Sequence, residues 1–100
     1  MTLDAIQINQ IANYFRDKPV LKAYLFGSYA RGEADEKSDV DLLVELDYSQ
    51  RIGFAFFGMK PDLEELLLTK VDVVSSNGIS KYIRPFIDSE KRLIYEKAIG

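Results

Sequence analysis

The sequence predicts an α/β (α+β) fold: a small mixed β-sheet with helices packed mainly on one face. Two observations carry that expectation. Short alternating runs are separated by segments of helical apolar spacing. The strand positions also sort into one apolar and one polar face. With 100 residues, 47% of them hydrophobic, the chain is expected to form one domain, residues 1–100, around a single core.

Ile8, Ile11, Ala12 and Phe15 recur at helical spacing, predicting an amphipathic helix over roughly residues 4–17 that stops before Pro19. Val20 to Phe26 alternates and reads as the first strand. A short helix should start after Gly27 and end at Gly32, followed by a charged loop from Glu33 to Ser38. Val40 to Leu46 is the second strand. Tyr48 to Gly58 is aromatic and punctuated by glycine. Pro61-Asp62 is then expected to start a helix with Met59, Leu63, Leu66 and Leu67 on one side. Val71 to Ser75 is β-branched and short, a third strand. After an Asn77-Gly78 turn, a helix is expected over roughly Ser80 to Glu90, where Pro85 fits only in the first turn. Leu93 to Tyr95 reads as a last edge strand.

Leu21, Ala23, Leu25, Val40, Leu42, Val44, Leu46, Val71 and Val73 make the apolar face. Opposite them fall Lys22, Tyr24, Phe26, Glu45 and three aspartates, Asp39, Asp41 and Asp72. The segment from Ile52 to Met59 is read as core filling, or else as an exposed lid or partner surface. On a short helical reading Phe54 and Phe57 share the inner face and Phe56 is the more exposed ring.

Composition removes several chemistries. Without cysteine or histidine there is no disulfide, thiol nucleophile, imidazole base or ordinary zinc site. A net charge of −3 gives no basic field, so direct nucleic-acid binding is not expected. No apolar run reaches membrane length and no secretion signal is evident, so the expected location is cytoplasmic.

One spacing carries chemistry. Gly27-Ser28 ends the first strand and, ten residues later, Asp39-Val40-Asp41 opens the second. Glycine lets backbone approach a ligand closely, and the turn offers N–H groups and a hydroxyl to the β- and γ-phosphates of a nucleotide. The alternative is an ordinary strand-to-helix turn with Ser28 as N-cap. Asp39 and Asp41, two apart on a strand, present carboxylates side by side, as Mg²⁺ or Mn²⁺ requires. Ser38 and Asp39 also suit a plain turn. Asp72 is an acidic residue inside an apolar strand. It is a third metal ligand and candidate base, or an edge-strand aspartate that faces water or pairs with Lys70. Arg31, one turn after Ser28, either neutralises phosphate or pairs with the acidic loop.

The text from Gly27-Ser28-Tyr29-Ala30-Arg31-Gly32 to Ser38-Asp39-Val40-Asp41-Leu42-Leu43-Val44 resembles the nucleotidyltransferase superfamily of DNA polymerase beta. Within it the chain looks most like the minimal nucleotidyltransferases (MNT), antitoxins to HEPN-domain toxins. The resemblance runs from Val20 to Tyr95 and implies the nucleotidyltransferase fold. It implies metal-dependent transfer of AMP from ATP to a tyrosine hydroxyl of a HEPN ribonuclease toxin, with release of pyrophosphate. Asp39, Asp41 and Asp72 would be catalytic and metal-binding; Gly27, Ser28 and Arg31 would bind nucleotide. A hetero-oligomer with the toxin follows as an expectation. The other class of function is an antitoxin that neutralises by stoichiometric contact. Related proteins commonly carry a glycine near Leu68-Thr69-Lys70, and this chain has none there.

Overall fold

The computed structural model describes residues 1–98. Helix α1 (Ala5–Phe15) opens on a reciprocal cap. The Gln7 N–H donates to the Asp4 carboxylate at 2.7 Å, and the Asp4 N–H donates to the Gln7 side chain at 3.0 Å. Strands β1 (Val20–Phe26) and β2 (Val40–Leu46) pair antiparallel, with the four-residue helix α2 (Ser28–Arg31) and the acidic loop between them. Helix α3 (Gly53–Leu67) leads into β3 (Val71–Ser75), which lies parallel to β2. Helix α4 (Arg84–Glu90) then leads into β4 (Arg92–Glu96), antiparallel to β1. The sheet is mixed, in the order β3-β2-β1-β4.

The first three strands have the expected bounds, and α1 and β4 differ by one or two residues. Several expectations need correction. Leu21 does not belong to the inner face. The ladder shifts register between Val20 and Lys22, which turns Val20 inward and leaves Leu21 41% exposed. Helix α3 starts at Gly53, not at Pro61, and carries Pro61 in its interior. Proline leaves the carbonyl four residues earlier, that of Phe57, without a helical donor. Phe57 and Pro61 are both exposed, so water can satisfy that group. Helix α4 starts at Arg84 after turns over residues 80–83, with Pro85 in its first turn as anticipated.

Ile11 and Phe15 of α1 and Met59, Leu63 and Leu67 of α3 pack on one face of the sheet, against Val20, Ala23, Leu25, Val40, Leu42, Val44, Leu46 and Val71. Phe56 extends the α3 stripe at helical spacing and is partly buried, while Phe54 and Phe57 are 92% and 75% exposed. This reverses the expected assignment, because the longer helix fixes a phase that a short segment could not. Phe56→Ala should therefore lower the melting temperature most of the three, at a cost of about 1–3 kcal/mol. Phe54→Ala and Phe57→Ala should stay within about 0.5 kcal/mol of the parent. A larger shift for either exposed ring would contradict this packing.

The opposite face is not polar throughout. Leu43 is 1% exposed and, with the buried Ile87 of α4, stands outside the main core cluster. The end of α4 lies on this face, with Lys91 Nζ 4.5 Å from the ring centre of Tyr24, the residue opposite Leu43. The outer edge of β3 is closed at Val71. Its N–H donates to Glu64 at 3.1 Å, and its carbonyl accepts from Lys60 at 2.6 Å.

Candidate functional site

The chain leaves β1 through Gly27, whose φ of 74° and ψ of −156° no L side chain adopts without strain. A Cβ at Gly27 would also collide with the Asp41 carboxylate. Both facts require glycine. Gly27, not Ser28, occupies the N-cap of α2, so the capping alternative for the Ser28 hydroxyl does not hold. Gly32, at φ 73°, ends the helix.

Strand pairing assembles the acidic groups. Asp41 stands opposite Phe26 on β1 and opposite Asp72 on β3, and in-register neighbours point to the same face. The Val40 N–H donates to the Lys70 carbonyl at 2.9 Å, which fixes where the two strands begin. Asp39 lies two residues before Asp41, on the same side. Asp39 and Asp72 are exposed; Asp41 is half-buried. Burial, then the charges of Asp72 and Asp39, push the Asp41 carboxyl up to about 6 from an ordinary 3.8. Arg31 opposes that shift and Glu90 adds to it.

Asp72 needs no buried partner, because β3 is an edge strand and its side chain faces water. No ion pair joins it to Lys70 among the described residues. The turn before β3, which lacks glycine, puts Leu68 in the left-handed region at φ 55°. That conformation costs an L residue about 1–2 kcal/mol. The side chain there is 88% exposed.

Arg31 takes the acidic-loop environment, one of the two anticipated for it. Its Nε donates to Glu33 of the acidic loop at 3.0 Å, and its guanidinium also lies close enough to act on Asp41. A second guanidinium nitrogen donates to Glu90 at 2.8 Å. Sequence reasoning missed Glu90, which stands 63 residues from Gly27 at the end of α4. The Gly27 N–H donates to its other carboxylate oxygen at 3.0 Å. The Arg31 hydrogen bond leads in holding Glu90 below the usual glutamate range, and the Gly27 N–H adds to it.

Among the described residues, no group of three or more acidic side chains stands in coordinating geometry. The donor set nevertheless suits a hard cation: all oxygen, all carboxylate, with one member already burdened by its neighbours' charge. Among the described residues, no helix is long and apolar enough to cross a membrane.

Comparison with known proteins agrees with this geometry. The profile of the polymerase beta nucleotidyltransferase family matches residues 9–99. A Methanocaldococcus jannaschii protein, provisionally named a protein adenylyltransferase, is 39% identical over 83 residues, covering 80% of this chain and 81% of the relative. A toxin-antitoxin crystal structure with AMP-PNP superposes with a TM-score of 0.76 at 24% identity, covering 90% of this chain and 73% of that one. A structure of a tri-AMPylated Shewanella oneidensis HEPN toxin in complex with MNT antitoxin gives a TM-score of 0.70 at 21% identity, over 92% of this chain and 71% of that one. At those two identities the likeness is one of fold.

Proposed function

The chain belongs to the polymerase beta nucleotidyltransferase family, and from that membership we propose that it is a metal-dependent protein adenylyltransferase antitoxin. It transfers AMP from ATP to a tyrosine hydroxyl of a cognate HEPN ribonuclease toxin and so neutralises it. The observation that carries this reading is the Asp41–Asp72 rung set against the Gly27 turn, with Asp41 pushed up to about 6 by burial and then by its acidic neighbours. The adenylyltransferase relative supports the reaction, and the AMPylated HEPN toxin in a structural neighbour supports the choice of partner. AMP-PNP in a structural neighbour supports ATP as donor. In this reading the protein acts as a single cytoplasmic domain in a hetero-oligomer with the toxin, without touching nucleic acid.

Each residue has a task. The Gly27 N–H and Ser28 hydroxyl receive the β- and γ-phosphates, and Arg31 balances their charge. Asp39, Asp41 and Asp72 would hold Mg²⁺ or Mn²⁺, which when bound neutralises the triphosphate. Asp72, exposed at the sheet edge, is the candidate acceptor of the tyrosine proton. The tyrosine oxygen bonds to the α-phosphorus as the bond to pyrophosphate breaks. Catalysis is then mostly positioning and charge compensation.

Incubation with toxin, Mg²⁺ and α-labelled ATP should label the toxin, while γ-labelled ATP should leave it unlabelled. Label from the γ position would mean phosphoryl transfer and would overturn the reaction type.

A further inference from the structure

We propose that Glu90 is an internal stand-in for phosphate, holding the nucleotide site shut until a polyphosphate displaces it. The inference rests on the nucleotide reading of Gly27 and Arg31 given above. One carboxylate bridges two donors of different kinds, a backbone N–H at 3.0 Å and a guanidinium at 2.8 Å. Both are groups that an oxyanion of a nucleotide would use. While Glu90 stays, the Gly27 N–H and one guanidinium nitrogen of Arg31 are engaged, and its charge adds to that of the three aspartates.

The surroundings allow Glu90 to leave without refolding. Its side chain is 22% exposed, so an outward path exists. It is the last residue of α4, and Lys91 beyond it is already extended at φ −65° and ψ 144°. Lys91 is anchored separately, to Asp88 at 2.9 Å and over the Tyr24 ring at 4.5 Å. A rotation of one side chain then clears the site while the helix end stays in place. After displacement Arg31 keeps Glu33 as a partner at 3.0 Å, which holds its guanidinium near the phosphates.

The arrangement makes binding a competition between oxyanions. Glu90 is favoured by its tether, and a ligand must win by carrying several phosphates or a compensating cation. A nucleoside monophosphate should fare poorly against it. Glu90→Gln keeps the side chain's shape and removes its charge.

The test compares wild type and Glu90→Gln for binding of AMP-PNP with Mg²⁺ by calorimetry, with circular dichroism as the check on folding. The variant should bind about three- to tenfold tighter, the gain expected from removing one nearby like charge at partial screening. In unmodified protein, the Glu90 carboxyl carbon should titrate below the usual glutamate range when free and return to that range at saturating AMP-PNP. That measurement stands even if the variant misfolds. Equal or weaker binding by a folded variant, or a Glu90 titration unchanged by nucleotide, overturns the inference and spares the nucleotide site. Absence of binding by both proteins overturns the site and the inference together.

Discussion

Asp41→Asn should abolish AMP transfer and, without divalent cation, raise the melting temperature. The two effects share a cause. Asp41 is pushed up to about 6 by burial and by Asp72 and Asp39, from 3.8. Between those pH values the folded chain binds more protons than the unfolded chain, so stability is lost as pH rises through the window. Above it the penalty is complete. A shift of this size corresponds to about 3 kcal/mol at full strength, and solvent screening of a half-exposed group reduces it to about 1–2 kcal/mol. Asparagine removes the penalty along with the ligand charge. Urea unfolding in EDTA at pH 4, 6 and 8 should show the stability of Asp41→Asn relative to wild type growing across the series. The lowered carboxyls of Glu90 and Asp47 are common to both proteins and cancel in the difference. If Asp41→Asn instead kept full antitoxin action in cells, contact rather than chemistry would neutralise the toxin.

Phe15→Ala should cost about 3–5 kcal/mol, a large part of the roughly 5–15 kcal/mol that a domain possesses. Phe15 is wholly buried between α1 and the sheet. Its ring meets Tyr14 edge-on at 5.5 Å between centres and Tyr95 at 6.0 Å. No small shift of α1 can fill that space, since Ile11 one turn earlier is also wholly buried. The denaturation midpoint should drop far enough that a substantial fraction is unfolded near 37 °C. A loss under about 1 kcal/mol would mean that α1 repacks freely, against the close packing described here.

The strands were legible because each signals itself locally, by alternation bounded with Gly, Asp or Pro. Their pairing then placed Asp41 beside Asp72, a juxtaposition that face-sorting had anticipated. Helix α3 was misread because Pro61 looks like a start signal, whereas its cost here falls on an exposed carbonyl. Leu21 was misassigned because a register shift reverses parity without changing composition. Glu90 left no local signal at all. Its role as partner of Gly27 exists only after α4 has folded onto the sheet. Leu68 shows the converse: the missing glycine was visible in the sequence, and the left-handed turn formed without it.

The closure of β3 at Val71 bears on how this protein meets others. An exposed sheet edge is a template for strand addition, which leads to aggregation or to capture of an extended peptide. At Val71 both outward backbone groups are already spent on Lys60 and Glu64, two charged side chains of α3. An incoming strand would have to break both bonds and approach past an ammonium and a carboxylate. The same pair therefore guards the chain against polymerisation through that rung. Strand addition at that rung would need both side chains to move away first.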